Sequence, residues 1–480
     1  MASKLFRDIS ASTIQVAVNQ LAGVAVFLLT SLYLPKEVFG ELSWAIAVMT
    51  FATTVLSLRL EQVLVRKAAA NENVSVTMTL FWWHVFFSGL VLWLVLFLLS
   101  WLFPAFFSIH YLLMMIGVSQ LISFFSSPFK QVANGKEHFG FLAIMSSISN
   151  IVRAVGLLIL VLFFTVTPKG VVLIFITGSV AELLLSYYLV SARMNIQLAR
   201  GVGLKDYSKL LRESLPQIGS AILIAGISRM DWILLGIFST SIFTAEYSFA
   251  YRVYELSPVP LLIIAPVLLS RFSKFFATKN ENSLPIKAEK IKSLVRVEMV
   301  FATFIPLLLN ILWIPVLEPL SHGKYGVSNA SVFMVLSFCT PFQYMSNLLW
   351  TSLFAQNKLK KILQVTVITF LVILIGDVVF IPLYGTIGAA FVYLTAMAVE
   401  YINYRRCSSL PGSRGSWFPL LVCTIIAAAT GFTVMHFLNS VLLQLLIATG
   451  LYLLLVLATR QLQKSDIRGI LRLAKKERVQ

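Results

Sequence analysis

Charged residues are scarce in this chain of 480 residues, at 12% of the total, whereas soluble domains carry about 25%. The chain therefore lacks the polar surface that a water-soluble protein needs. Cysteine is also rare, and the three residues present have no metal-ligand spacing: Cys339, Cys407 and Cys423. Neither a disulfide framework nor a zinc site is expected from them.

Sequence signatures of catalysis are missing as well. The five histidines are scattered without an HExxH pair, and no GxxxxGK[ST] phosphate-binding loop occurs. The outward loops between the apolar segments are short and hold no cluster of acids or histidines. The chain is therefore predicted not to be an enzyme and to use no cofactor, and a channel is disfavoured because no filter-like segment is present.

Long apolar segments are abundant instead. Hydrophobic residues make up 58% of the chain and the mean hydropathy is +0.87. Each apolar run approaches the roughly 20 residues that a helix needs to cross the hydrocarbon core. The pattern predicts an all-α integral membrane protein with about 14 transmembrane helices. These are expected near residues 11–34, 40–60, 80–103, 109–127, 139–164, 171–192, 215–237, 243–270, 296–317, 331–354, 362–382, 386–404, 417–437 and 440–459. The basic N-terminal segment runs into the first apolar stretch without a convincing small-residue cleavage site, so this stretch is predicted to be retained as a span.

Lysine and arginine are distributed unevenly about these spans. With the N-terminus inside, 32 of the 38 basic residues fall on the inner side and only Lys36, Lys169 and Lys324 fall outside. The remaining three lie within predicted spans. This asymmetry predicts a multi-pass protein of a bacterial or archaeal cytoplasmic membrane with both termini cytoplasmic.

The net charge of +18 follows from the same short inner loops. Basic residues beside hydrophobic spans fit the anionic lipids of the inner leaflet better than a nucleic acid, so no nucleic-acid partner is expected. The tail at 460–480 continues this pattern. Its residues 467, 470, 471 and 474 form an apolar helical face flanked by lysines and arginines, which predicts a basic amphipathic helix on the membrane surface.

The chain also contains an internal sequence repeat. The segment GVVLIFITGSVAELLLSY from Gly170 matches the segment GAAFVYLTAMAVEYINYR from Gly388, and the two share a Gly, a Thr and a Glu at one constant offset of 218 residues. Weaker echoes pair FGELSWA from Phe39 with TAEYSFA from Thr244, and VANGK from Val132 with FAQNK from Phe354. Because each copy has an even number of spans, the two repeats are predicted to be parallel, with a cavity between them near the middle of the membrane.

The predicted organisation follows from this repeat. It comprises an N-terminal six-helix bundle (1–192), a cytoplasmic connector with an amphipathic surface helix (193–214), a C-terminal six-helix bundle (215–404), two additional transmembrane helices (405–459) and the basic cytoplasmic tail (460–480).

Ionisable side chains within spans are costly, so they usually face a protein interior or a water-filled cavity. The basic candidates are Arg153, Arg229 and Arg252. One possibility is that they line a cavity and bind an anionic substrate, for which the forked guanidinium is well suited. The alternative is that nearby acids neutralise them, or that their side chains extend to the membrane–water interface. The acidic candidates bind a coupling ion or merely hold helices together: Asp377, Asp231, Glu255, Glu182 and Glu400.

Three tracts carry a resemblance to a known family. YLPKEVFGELSWAIAV (33–48), EYSFAYRVYELS (246–257) and LFAQNKLKKILQVTVITFLVILIGDVVFIPLYGTIGAAFVYLTAMAVE (353–400) are similar to polysaccharide flippases. These flippases are the Wzx-like branch of the multidrug/oligosaccharidyl-lipid/polysaccharide exporter superfamily. The resemblance covers essentially the whole chain in order. One departure is Asp377, which falls where the family more often has Asn.

The resemblance implies a two-bundle transporter with a cationic central cavity. Its expected substrate is a polyprenyl-diphosphate-linked oligosaccharide, namely an O-antigen, capsule or exopolysaccharide repeat unit that is flipped to the outer leaflet by alternating access. Other polysaccharide-assembly proteins are possible partners. Two alternatives stay open: a multidrug exporter of the same superfamily, and a scaffold or enzyme of polysaccharide assembly that transports nothing.

Overall fold

A chain segment in hydrocarbon must satisfy its backbone hydrogen bonds internally, and apolar runs of this length therefore form helices. A computed structural model describes residues 2–277, 284–410, 415–463 and 466. Within these residues the secondary structure is helical and no β-strand occurs. The predicted amphipathic helix of the tail lies outside the described residues.

The structure has two compact units, of which the first extends to Ala245. It contains α1 (Ala2–Tyr33), α2 (Lys36–Leu56), α3 (Leu60–Ala69), α4 (Val74–Leu102), α5 (Pro104–Ile109), α6 (Tyr111–Gly135), α7 (Phe139–Phe163), α8 (Pro168–Tyr188), a π-helical turn (Leu189–Arg193) and α9 (Leu204–Phe238). The core of this unit lies where α6 packs against α2, α4 and α8, and α7 packs against α1 and α8.

The second unit begins at Glu246, within α10 (Ser241–Tyr254). It continues with α11 (Val259–Ala277), α12 (Leu284–Leu320), α13 (Ala330–Ser337), α14 (Cys339–Ala355), α15 (Leu359–Cys407), α16 (Trp417–Phe437) and α17 (Val441–Ala458). Here α14 packs against α11, α12 and α15, while α16 and α17 pack against α12.

Eleven helices of the described residues are long and apolar enough to cross a membrane. One of them, α15, is a hairpin: Gly385 leaves helical geometry at φ 59° and ψ −134°. A Cβ on Gly376 would lie only 2.6 Å from Val392 Cγ1, so the two arms are in contact. The apolar part of α1 (Val18–Tyr33) and the α10–α11 pair occupy the predicted first and eighth spans. Together these helices account for the fourteen predicted spans.

The predicted connector helix forms, but it is not a separate element. Residues 204–214 are the first turns of α9 and run without a break into the predicted seventh span, across Pro216. Tyr207 and Leu211 pack against a core that contains Leu210, Leu64 and Phe81, as the amphipathic pattern indicated.

The first unit includes the predicted seventh span because α9 packs against α2 and α3. The indole N–H of Trp44 donates to Ile233 O at 3.0 Å. A Cβ on Gly236 would lie 1.9 Å from Trp44 Cδ1, so only glycine permits this approach. The boundary between the two compact units therefore lies one span after the predicted boundary between the two bundles. The predicted division of the chain into bundles at 192–215 stays a prediction.

Matching contacts support the internal repeat. A Cβ on Gly156 of α7 would lie 2.9 Å from Ile174 Cγ2 of α8, just as a Cβ on Gly376 would meet Val392. The glycines are 220 residues apart in sequence and their partners 218. Two helical hairpins at equivalent positions are therefore held together by a glycine against a β-branched side chain.

The helices that precede these hairpins also end alike. Glu137 after α6 and Asn357 after α14 both adopt the left-handed conformation, each with φ 57°. His138 N then donates to Ala133 O at 2.9 Å, and Lys358 N donates to Leu353 O at 3.0 Å. The two copies thus turn from one helix into the next with the same capping geometry.

The last helix, α17, is fixed to α12 by polar contacts as well as by apolar packing. Tyr452 of α17 lies 2.6 Å from Thr303 Oγ1 and donates to Val300 O at 2.8 Å. Beyond α17, Arg296 Nε and Nη2 donate to the two carboxylate oxygens of Asp466 at 2.9 and 2.8 Å. The end of α17 is therefore clamped to the start of the membrane-embedded part of α12.

We expect the Arg296–Asp466 pair to make stability depend on acid pH. Burial alone would raise the pKa of the Asp466 carboxyl, but hydrogen bonds from Arg296, Ser293 and Gln463 N hold it below its ordinary value of 3.8. A carboxyl with a depressed pKa contributes its stability in full above pH 3.8 and loses it as the pH falls through the lower, folded value. Asp466→Asn should lower the free energy of unfolding by about 1–3 kcal/mol at neutral pH. Thermal unfolding in detergent between neutral and acid pH measures this, and a loss that persists undiminished below the folded pKa would contradict it.

Candidate substrate-binding site

Polar side chains line one face of α6 in the interior of the first unit. Ser119, Ser123, Ser126 and Lys130 follow each other at spacings of four, three and four residues, which places them on one helical face. That face packs against α8, whose Ser179 and Glu182 lie one turn apart. Since hydrocarbon offers no hydrogen bonds, these side chains must bond to each other.

The Glu182 carboxylate is the centre of this network. Lys130 Nζ lies 2.5 Å from its Oε1, Ser126 Oγ donates to the same oxygen at 2.8 Å, and Ser123 Oγ donates to Oε2 at 3.2 Å. Only 6% of the Glu182 side chain is exposed. The charge of Glu182 is therefore already balanced by Lys130.

Arg153 of α7 lies beside this pair without an acid of its own. Its Nη2 donates to Ser179 Oγ at 2.7 Å and to Ser119 Oγ at 3.3 Å. The guanidinium carbon lies 4.7 Å from the centre of the Phe175 ring. Among the described residues the buried Nε has no hydrogen-bond partner. The side chain is thus held in place by neutral groups that leave its charge uncompensated.

The charges of this cluster do not cancel. Two cations, Lys130 and Arg153, share one acid, Glu182, whose oxygens are bonded to Lys130 and two serines. An uncompensated cation in a low-dielectric interior favours the binding of an anion. The cluster of Lys130, Glu182, Arg153 and their serines, termed here the Arg153 cluster, can therefore accept one negatively charged group such as a phosphate.

Gly178 is the residue that lets Arg153 cross α8. A Cβ at this position would lie 2.9 Å from Arg153 Cγ and 2.9 Å from Ser149 O. We expect Gly178→Ala to displace Arg153 and to lower the free energy of unfolding by about 1–3 kcal/mol. Gly140→Ala on α7 is the matched control, because a Cβ there meets nothing within 4 Å. Thermal unfolding should separate the two variants, and equal stability would contradict this account.

The other two predicted arginines differ from Arg153. Arg229 stacks on Trp232, with its guanidinium carbon 5.0 Å from the ring centre. Asp231 is buried, and its Oδ1 accepts the Trp232 backbone N–H at 2.8 Å. Arg252 pairs with Glu255 at 2.8 Å, as their three-residue spacing indicated, so its charge is balanced locally.

The remaining predicted acids lie on the two arms of α15. Asp377 is fully buried on the first arm, and Glu400 is half-buried on the second. Glu400 matches Glu182 at the repeat offset of 218, but the position that matches Lys130 at the offset of 222 is Ser352. The second copy therefore lacks the lysine that balances the acid in the first.

Sequence reasoning missed Lys130, Phe175 and the serines of the Arg153 cluster. The predicted spans end at 127 and resume at 139, so they place Lys130 in an inner loop, where it indicates only the orientation of the chain. The 119–123–126–130 spacing on α6 was the available signal for a polar helix face. Within the described part of the chain, no group of three or more His, Cys, Asp and Glu residues could hold a metal ion.

Comparison with known proteins identifies the fold. The structure is similar to that of lipid II flippase MurJ in an inward closed conformation, with a TM-score of 0.73 and 15% identity over 94% of this chain and 98% of that one. It is also similar to the inward-facing conformation of a multidrug resistance MATE family transporter of the MOP superfamily, with a TM-score of 0.64 and 13% identity over 82% and 98% of the two chains. A MOP superfamily transporter from Pyrococcus furiosus matches with a TM-score of 0.55, at 13% identity over 83% and 93%.

Likeness at such low identity shows the fold alone, and no curated protein matches the sequence. The sequence does match a family model described as polysaccharide biosynthesis protein, over residues 5–276, which is more than half of the chain. The resemblance noted in the sequence is therefore confirmed. This chain is a multi-pass membrane protein with the MOP transporter fold, and it belongs to the polysaccharide biosynthesis protein family.

Proposed function

We propose that this protein flips a polyprenyl-diphosphate-linked oligosaccharide from the cytoplasmic to the outer leaflet of a bacterial or archaeal cytoplasmic membrane. The cargo would be an O-antigen, capsule or exopolysaccharide repeat unit, moved by alternating access. Membership of a polysaccharide biosynthesis family and a fold shared with a lipid II flippase support this substrate class.

The observation that carries the proposal is the uncompensated charge of Arg153. A lipid-linked sugar has an apolar chain, a neutral or polar glycan and a diphosphate, and only the diphosphate cannot enter hydrocarbon without a counter-charge. Arg153 offers a guanidinium fixed by Ser179, Ser119 and the Phe175 ring. The forked geometry of a guanidinium matches phosphate oxygens.

Arg229 and Arg252 are also proposed as substrate-binding cations, and Glu255 pairs with Arg252. The proposed orientation has both termini in the cytoplasm, where the basic loops meet anionic lipids. Asp377 and Glu400 are retained as proposed coupling-ion residues, because each is an acid at depth within a span.

The test is the leaflet distribution of lipid-linked oligosaccharide in cells with and without the gene, in a strain that lacks other flippases. Loss of the protein should leave the lipid-linked sugar on the cytoplasmic face and reduce surface polysaccharide. An unchanged distribution would refute flipping. Altered drug susceptibility of overexpressing cells would then favour the multidrug exporter.

A further inference from the structure

Buried hydroxyl groups form separate hydrogen-bonded pairs in the interior of the second unit, along α10 and the turn that follows it. Tyr251 donates to the hydroxyl of Tyr393 at 3.3 Å, and Tyr254 donates to Gln343 Oε1 at 2.7 Å. Both α10 tyrosines are buried. The contacts lie one after the other on one helix face, since the two residues are three apart.

The line continues toward the predicted cytoplasmic side. Ser257 Oγ lies 3.0 Å from Thr340 Oγ1, and Tyr344 donates to Ser257 O at 2.9 Å. Tyr344 belongs to a small buried cluster with Leu261 and Ala302, so it reaches α12. We call the hydroxyl-bearing residues Tyr251, Tyr393, Tyr254, Ser257, Thr340 and Tyr344 the hydroxyl line.

Glu298 lies at the end of the hydroxyl line, one turn before Ala302 on α12. Only 7% of its surface is exposed, and its Oε1 is buried with no hydrogen-bond partner among the described residues. Its carboxyl lies close enough to Tyr344 to act electrostatically on the phenol. Sequence reasoning overlooked this residue, because it falls near the predicted start of a span.

Glu298 has no cation to balance it within the described side chains. Arg296 is two residues away on the same helix, and its guanidinium is already bonded to the Asp466 carboxylate. On the other helices packed against α12, the titratable residues are Cys339 and Tyr344 of α14, Cys423 and His436 of α16 and Tyr452 of α17, while α13 has none. On α11 the titratable residues are Arg271 and Lys274, whose side chains are not among those described.

A carboxylate in this setting is costly unless it is neutralised, and no metal-ligand cluster surrounds it among the described residues. A proton is the ligand that neutralises one carboxyl with no further ligands. The Tyr344 phenol, whose O–H is bonded to Ser257 O, acts electrostatically on this carboxyl. We propose that Glu298 is a proton-binding site of the second unit.

The site goes beyond the proposed function because it supplies an energy source for transport rather than a substrate contact. Proton uptake at Glu298 would couple the movement of the cargo to the proton gradient. The proton adds to the carboxylate and leaves it as a proton, so no other reactant is required.

The test uses the full-length protein in two measurements. Infrared difference spectra between two pH values report protonated carboxyl groups directly, without any transport. Glu298→Gln, which mimics the neutral acid, should remove one carboxyl signal, whereas Glu289→Gln on the exposed part of the same helix should leave that signal unchanged. Tyr344→Phe removes the neighbouring phenol and should shift the frequency of that signal.

The second measurement is flux in vesicles under an imposed pH gradient. Glu298→Gln should lose the gradient-dependent part of the flux and keep its thermal stability, and Glu298→Asp should retain part of the dependence. An infrared signal that survives in Glu298→Gln would overturn the proton site. Failure of the wild-type protein to move lipid-linked sugar would count against flipping alone, since the infrared result stands without it.

Discussion

Arg153→Ala should weaken binding of the lipid-linked diphosphate by about 10- to 100-fold, since a charge-assisted hydrogen bond contributes about 1.5–3 kcal/mol. The reason is that the Arg153 cluster has two cations and one acid. Glu182 is bonded to Lys130, whereas the Arg153 guanidinium is bonded to Ser179 and has no acid within hydrogen-bonding distance. The measurement is flipping of a lipid-linked sugar by purified protein in vesicles, over a range of substrate concentrations.

Two further variants separate geometry from charge. Arg153→Lys keeps the positive charge but loses the fork and the contacts with both serines, so an intermediate effect is expected. Lys169→Ala removes an exposed cation at the start of α8 and should leave flipping unchanged. Wild-type flipping by Arg153→Ala would remove the cationic site from this unit and reduce Arg153 to a structural role.

Hydropathy and charge were sufficient to predict the spans. A bilayer imposes length and apolarity on every crossing segment, so the pattern is visible in the sequence without tertiary information. Even the hairpin of α15 was predictable, because Gly385 follows Pro382 and Leu383 at a point where two runs meet. The continuity of α9 was not predictable, since a proline in the first turn of the predicted span is compatible with either a break or a continuous helix.

The Arg153 cluster was predictable only in part. Arg153 and Glu182 stood out because charges within spans are rare, but their partners are serines, which carry no such signal in an apolar helix. Which cation pairs with which acid depends on helix packing. In this protein Gly178 has no side chain, so the Arg153 side chain can pass close to α8. A single sequence does not reveal which neighbouring helix a glycine faces.

Lys130→Ala should lower the free energy of unfolding by about 2–4 kcal/mol, because it leaves Glu182 as a buried carboxylate with only two serines as donors. The Lys130 side chain is 22% exposed and Glu182 only 6%, so the buried acid bears the cost. Thermal or denaturant unfolding in detergent measures the loss. Lys136→Ala is the matched control, since Lys136 lies near the end of the same helix and bonds only to Asn71 within the described contacts.

The double variant Lys130→Ala with Glu182→Gln tests whether the loss is electrostatic. Glutamine removes the unpaired charge, so stability should return to within about 1 kcal/mol of the Glu182→Gln single variant. The same double variant keeps Arg153 as a cation and should retain anion binding. A double variant no more stable than Lys130→Ala would mean that the lysine acts through packing. Loss of substrate binding in a stable double variant would instead place the Lys130–Glu182 pair within the binding site itself.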